Sequence, residues 1–485
     1  MKRLKILMIA AALLFSASGA FARQQGDATQ APDSSAPIAP LPPQDEGNGS
    51  RQAPEPAGRA LSLYGSQDQD SGQATPDDTT LSGGEIIGLG SLTGTQTLFA
   101  IAYQFGEFAE TGVSQGDVDS VTSIGGSFAL DQHWERYHLS AAYSGAQTFY
   151  SPDSSVSAAY HNAAIAQEIK WRRLVLHLRD NLNVSPQSTF GGLYTGSAGL
   201  AGQSTVINGY SPVITSGETI LTGTANRADN VAFAGIDLLV SRRTTLTLTG
   251  SYEFLDFFTP GYIDYHDVTV GAGYNYALSP KNTVAIVYNF SRTAYSGASG
   301  GATESHVAQL AYGRKINGRM AFQLSAGPQL VVPENSGPSN GRYWTWSLSS
   351  SLSYRLSRVT GASFGYYHIA SNGSGVFTGS ESDTFSGGIN HQFTRFWSAS
   401  VNGGYSRNGS IVSSNTAANQ FDDWFAGVSV GRQIGREISA NANAGYQRQI
   451  GGTGACPVLT CGYAGSSNFV AGLTVGWSPL AIGKK

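Results

Sequence analysis

The chain has 485 residues, of which 13% are charged and 40% hydrophobic, with 61 glycines and a formal net charge of -4. Soluble domains carry roughly a quarter of their residues as charges, so ordinary globular domains are a poor fit. No uncharged run approaches the roughly 20 apolar residues of a spanning helix, which leaves strands as the means of crossing a bilayer, and the near-neutral balance indicates no nucleic-acid partner.

Residues 1–22 read as a secretory signal peptide: Lys2, Arg3 and Lys5, an apolar stretch over 6–15, then Ala20, Phe21 and Ala22 before Arg23. Residues 23–94 follow as a Pro/Gln/Ser-rich tail, with Pro37, Pro40, Pro42 and Pro43 in its first part. Such a composition buries too little apolar surface to offset its ordering entropy, so a disordered periplasmic tail is expected, either a spacer or a contact for a periplasmic partner.

From 95 to 477 the chain repeats one unit: about ten residues alternating apolar with small polar, then a turn. Eighteen strands are expected, at 95–107, 119–131, 136–148, 156–170, 173–184, 229–241, 244–256, 265–278, 282–293, 303–315, 319–331, 343–356, 359–370, 380–393, 397–407, 421–434, 437–449 and 466–477. The last shows the rule, with Phe469, Ala471, Leu473, Val475 and Trp477 on one face and Val470, Gly472, Thr474 and Gly476 on the other. Short turns, such as Trp171-Arg172, Arg242-Arg243, Ser357-Arg358 and Gly435-Arg436, alternate with longer connections, the longest over 185–228. A soluble β-propeller also has a period near 40 residues, but its blades do not alternate long and short loops this way. Aromatics cluster by the turns and loops, among them Trp134, Trp171, Phe393, Trp397 and Trp477 at one end and Phe254, Phe258, Trp344, Trp346 and Trp424 at the other, where interfacial girdles belong. Cys456 and Cys461 lie close together in a Gly-rich connection. Two thiols alone make a poor metal site, and a local disulfide is expected after export.

The alternation, even strand count and girdles resemble the bacterial outer-membrane β-barrel proteins, and the layout is similar to porin-like barrels, some of which have eighteen strands. The resemblance covers 96–477 and implies an all-β transmembrane antiparallel barrel, embedded in outer-membrane lipid of a Gram-negative-type bacterium. Such proteins commonly end on an aromatic residue recognised by the barrel-assembly machinery. Here the last aromatic, Trp477, is followed by a short extension, 478–485.

Eighteen strands about 4.8 Å apart and tilted about 40° close a cylinder roughly 35 Å across, too wide for side chains to fill. Alternation points Arg136, His138, Glu168, Lys170, His177, Arg179, Asp237, Glu253 and Asp267 inward from strands 3 to 8 as pore-lining candidates. They either bias passage of solutes or pair with one another and stiffen the wall. Strands 11 to 18 present a nearly uncharged wall, including Gln323, Ser325, Gln329, Ser347, Ser349, Ser351, Asn402 and Asn443. Cations at the short turns, Arg136, Arg172, Arg173, Arg242, Arg243, Lys281, Arg319, Arg358, Arg395 and Arg436, form a basic rim suited to phospholipid headgroups or anionic solutes.

An outer-membrane lipid hydrolase would need a Ser activated by a nearby His. His138 and Ser140 share a face, but it points into the lumen, and His368 and Ser371 fall on opposite faces of a regular strand. The histidines lack metal-ligand spacing and no cofactor motif is present. The expected function is therefore passive passage of small polar solutes through an outer-membrane channel, not catalysis. The alternatives are the outer-membrane component of a polysaccharide export system and a loop-displaying scaffold. Whether the 185–228 connection folds into the pore decides how wide the channel is.

Overall fold

The computed structural model describes residues 96–111, 118–134, 136–151, 158–186, 218–220, 225–296, 301–317, 319–334, 341–411, 420–435, 437–451 and 467–484. The expected signal peptide, the tail over 23–94, Cys456, Cys461, Arg436 and most of the 185–228 connection lie outside them.

All eighteen strands form: β1 (Gln96–Thr111), β2 (Val118–His133), β3 (Tyr137–Ser151), β4 (Ala158–Lys170), β5 (Leu174–Ser185), β6 (Arg227–Leu239), β7 (Thr244–Phe257), β8 (Tyr265–Ser279) and β9 (Asn282–Tyr295) make the first half. β10 (Gly301–Asn317), β11 (Met320–Pro333), β12 (Tyr343–Arg355), β13 (Thr360–Ser371), β14 (Ser380–Thr394), β15 (Trp397–Ser410), β16 (Gln420–Ile434), β17 (Ile438–Gly451) and β18 (Ser467–Lys484) make the second. Each pairs antiparallel with its chain neighbours and β1 also pairs with β18, so the sheet closes on itself. Closure is what makes strands tolerable in hydrocarbon, because every strand has a pairing partner on both sides.

Several boundaries shift by a few residues, and the largest change is at the C-terminal strand. β18 does not stop at Trp477: it continues to Lys484, and Thr97 registers with Lys484 on β1. Tyr103 registers with Trp477 and Ile101 with Leu480, with a register shift between Ile101 and Tyr103. Pro479, which has no amide hydrogen to give to a ladder, falls within that irregular step, and regular pairing resumes beyond it.

The wall is inverted relative to a soluble protein. On β8, Val268, Val270, Tyr274 and Leu278 are exposed while Thr269 and Asn275 of the opposite face are buried. On β7, Leu248 and Tyr252 are exposed and Thr245, Thr247 and Thr249 are buried. Apolar side chains thus coat the outside and hydroxyls and amides line the inside, as a lipid-facing barrel requires. Trp397, Phe393 and Trp477 stand exposed at the short-turn end, and Trp344, Trp346 and Trp424 at the long-loop end.

A repeated hydrogen bond marks the outer surface near the long loops. Tyr143, Tyr252 and Tyr288 register with Ala163, Val268 and Ala308. Each pairs its hydroxyl with Nδ1 of the histidine two residues nearer the loop, His161 at 3.0 Å, His266 at 3.3 Å and His306 at 2.8 Å. Tyr366 and Tyr405 donate to Asp383 and Asp422 in the same diagonal relation, at 2.9 and 2.8 Å. Diagonal neighbours lie within reach of aromatic side chains, so these bonds tie hairpins together at the level where the apolar belt gives way to polar residues.

Candidate functional site

The site is the lumen with its long-loop mouth. Alternation against exposed Leu178, Leu182, Ile236, Leu248, Tyr252 and Val268 puts His177, Arg179, Asp237, Glu253 and Asp267 on the lumen face. His138 and Glu168 share that face with buried Ser140 and Ala166. Arg136 sits in the bend before β3, exposed at the short-turn rim rather than within the strand. Arg172, Arg173, Arg242, Arg243, Lys281, Arg319, Arg358 and Arg395 are exposed at the same end.

Most of the nine lumen candidates are brought into contact. His138 Nε2 lies 2.9 Å from Asp131 Oδ2. A chain of charges runs from Lys170 to Glu168, on to His177 with Nδ1 3.9 Å from Glu168 Oε2, and to Asp237 with His177 Nε2 3.2 Å from Oδ2. Thr247 donates to the other Asp237 oxygen at 2.6 Å. Nearer the mouth, Glu253 and Asp267 are register partners. Tyr265 donates to Glu253 at 2.7 Å, and Thr293 and Thr269 donate to Asp267 at 2.6 and 2.8 Å. Such bonds offset the desolvation of carboxylates on a half-buried wall.

The opposite wall is not wholly neutral, because Asp423 of β16 is fully buried on the lumen face and receives a bond from Asn408 at 3.3 Å. Along β14 to β16 the lumen face is dry toward the mouth, with Ser380, Ser382, Thr384, Ser406, Asn408 and Asp423 all at 0% exposure. Toward the short turns it is wetter, and Asn390, Ser400 and Asn402 are partly exposed.

Beside these residues runs a brace that sequence reasoning left open. Glu218, in the connection between β5 and β6, is fully buried and pairs with Arg227 of β6 at 3.0 Å, itself fully buried. The next residue reaches the other wall. Thr219 N–H donates to Ser374 Oγ at 2.9 Å, its hydroxyl lies 3.1 Å from Ser382 Oγ, and its carbonyl accepts from Asn408 Nδ2 at 2.9 Å. β6 and β15 are nine strands apart in an eighteen-strand ring, so the contacts join opposite sides of the barrel.

The β13–β14 connection completes the brace. Ile263 N–H donates to Gly375 O at 2.8 Å and Tyr295 OH to Asn372 O at 3.1 Å, tying this connection to the ends of β7 to β9. Gly373, Ser374 and Gly375 all take positive φ, at 82°, 52° and 72°. Gly375 is required: a Cβ there would stand 2.2 Å from a Phe257 ring carbon.

The wall itself steps where this connection leaves it. The β12–β13 ladder ends at Leu348 and His368, although β11–β12 pairing continues to Tyr343 and β13–β14 pairing to Ser371. The amide of Gln329 on β11 takes the missing place. Its Nε2 donates to Ala370 O and its Oε1 accepts from Ala370 N–H, both at 3.0 Å. Because Gln329 faces the lumen, the end of β13 lies on the lumen side of β12. Thr345, on the lumen face of β12, accordingly bonds Glu381 at 2.6 Å, on the outward face of β14.

His368 fills the outside of the step, stacked on Trp346 with centroids 4.2 Å apart. Its Nδ1 lies 2.8 Å from Asp383 and its Nε2 3.2 Å from Glu381, while Ser371 pairs with Ser380 and Ser382 instead. With both ring nitrogens engaged by carboxylates, His368 is not placed to act as a base for Ser371.

Closed circumference, even strand number, apolar exterior and polar interior define a transmembrane β-barrel of the outer-membrane type. No protein-family description matches the sequence and no curated protein does. Among solved structures the barrel is similar to Pseudomonas aeruginosa OccK2 (OpdF), with a TM-score of 0.42 and 8% identity over 80% of this chain and 100% of that one. It is also similar to the outer membrane protein OpdK, at 0.40 and 8% over 80% and 99%, and to OpdQ, at 0.40 and 10% over 81% and 100%, both of that organism. No residue correspondence follows at such identities.

Proposed function

We propose that this barrel lies in the outer membrane of a Gram-negative-type bacterium and passes small polar solutes by passive diffusion. The observation that carries the reading is the brace of Glu218, Thr219 and Ser374 across the mouth of a wide, polar-lined cylinder. A barrel roughly 35 Å across needs a constriction to discriminate among solutes, and the brace narrows the mouth. Below it, His138, Glu168, Lys170, His177, Arg179, Asp237, Glu253 and Asp267 line one side of the path, with Arg136 at its rim, against a wall of Ser, Asn and Gln. Hydrated neutral or weakly charged solutes suit this surface. No covalent step is assigned to it. Residues 23–94 are proposed as a periplasmic tail following a cleaved signal peptide.

The test is single-channel recording of the refolded protein in a planar bilayer, with and without residues 187–224, the segment that carries Glu218 and Thr219 and whose flanks, Pro186 and Ala225, are already hydrogen-bonded. Discrete steps that grow when the segment is removed support the reading. Silence in both forms overturns it.

A further inference from the structure

We propose that the mouth end of the β13–β14 hairpin is a hinged flap that exchanges one set of backbone bonds for another, and that Gln329 is the positioning residue that holds it closed. The inference deepens the channel reading and rests on it for its functional meaning, though not for its geometry.

The observation is the interrupted ladder. Residues 343–347 of β12 have ladder partners on β11 alone, and residues 369–371 of β13 on β14 alone. The pairing that stops at Leu348 and His368 keeps a constant register down to Arg355 and Gly361. Continued upward without a shift, it would pair Ser347 with Ile369, Trp346 with Ala370 and Thr345 with Ser371. The faces already agree: Trp346 and Ala370 would both point outward, Thr345 and Ser371 both inward. A one-residue slip would have reversed every face, so the open ladder is compatible with the sequence of both strands as they stand.

In the closed arrangement each backbone group of Ala370 is satisfied by the Gln329 amide. In the ladder-complete arrangement β12 would satisfy the same groups. For Ala370 the flap therefore exchanges one set of satisfied backbone bonds for another, which favours a bistable element. Swinging outward to rejoin β12 would carry Ser374 and Ser382 away from Thr219 and release Gly375 from Ile263. Wall repair and mouth opening are then one motion. Thr345 and Tyr343, now bonded to Glu381 at 2.6 and 2.7 Å, and Trp346, stacked on His368, hold the outer side of the closed state.

The test is cross-linking in the full chain with Cys456→Ser and Cys461→Ser. Thr345→Cys with Ser371→Cys reports the open ladder, since register partners fall within disulfide reach. Ser353→Cys with Ser363→Cys, already register partners, serves as the positive control. Oxidation is expected to trap the first pair slowly and the control at once. Adding Gln329→Ala should speed trapping about thirtyfold, the worth of two neutral hydrogen bonds, whereas a Gln309→Ala control should not. The trapped form should conduct more than the reduced form.

Failure of the 345–371 pair to cross-link while the control does, or trapping indifferent to Gln329, overturns the flap. Cross-linking that responds to Gln329 in a barrel that never conducts upholds the flap and removes the channel reading instead.

Discussion

Removing the cation of the buried pair in the brace should open the mouth without unfolding the barrel. Arg227 and Glu218 lie 3.0 Å apart and neither is exposed, so Arg227→Met leaves a carboxylate buried without this partner. Breaking such a pair is worth about 3 to 5 kcal/mol. The opposing clasp is the three hydrogen bonds of Thr219 to Ser374, Ser382 and Asn408, roughly 1 kcal/mol each. The penalty thus matches or exceeds what holds the segment, and the ratio of open to closed mouths should rise about a hundredfold or more. Strand pairing is untouched, because Arg227 still contributes its backbone to the β5–β6 and β6–β7 ladders. Single-channel recording should show larger or longer openings for Arg227→Met, and heat-dependent gel migration should remain that of a folded barrel. The double variant Glu218→Met with Arg227→Met should return toward the parent, since an apolar pair of similar volume replaces a buried ion pair at little net change. Conductance of Arg227→Met equal to that of the parent would refute the brace as constriction. A double variant as open as the single would refute the electrostatic account of it.

Three further outcomes follow from the same contacts. Ser374→Ala should open the brace about fivefold more often in channel recordings, through loss of one hydrogen bond, while Ser374→Gly should lie closer to the parent because it also relieves a non-glycine φ of 52°; equal effects would rule out the strain. Asp237→Asn removes a negative charge beside His177 and should shift the reversal potential in a salt gradient toward anions; an unchanged potential would place this wall off the conducting path. Tyr288→Phe should lower urea resistance of the refolded barrel by at most about 1 kcal/mol by breaking its bond to His306, and a much larger loss would mean the diagonal bonds carry more than the hairpins they join.

The eighteen strands were legible because lipid outside and polar lumen inside impose a period of two on nearly every segment. Leu248 and Tyr252 against Thr247 and Thr249 could hardly be read otherwise. The inward face of the charges on β3 to β8 was read from the same parity, but Arg136 falls in the bend before β3, where parity does not apply. The end of β18 was not legible, because Pro479 reads as a stop and only pairing with Gln96–Thr111 carries the strand beyond it. Glu218 and Thr219 gave no signal at all: they sit in a long Gly/Ser/Thr-rich connection, and Thr219 makes its contacts with residues more than 150 positions away. The inward path of Gly373-Ser374-Gly375 was not legible, because alternation says nothing about which way a connection folds. Gln329 read as one more lumen amide, and its bond to a backbone two strands away is set by an interruption that parity cannot reveal.

The step in the wall and the brace across the mouth have one cause. A β13–β14 hairpin that stayed in the cylinder would hold Ser374 and Ser382 at the rim, too far to the side to meet a segment crossing from β6. Bringing them inward breaks the β12–β13 ladder above His368, and an open ladder near hydrocarbon is tolerable only if something bonds the freed backbone. Gln329 does so from within for Ala370, and Trp346 with His368 covers the gap from without. Tight approach to Phe257 then demands Gly375, and the turn demands the positive φ of its neighbours. Each irregular feature is what the previous one requires. Regular alternation builds the container, and the interrupted seam between β12 and β13 brings the residues of the brace together.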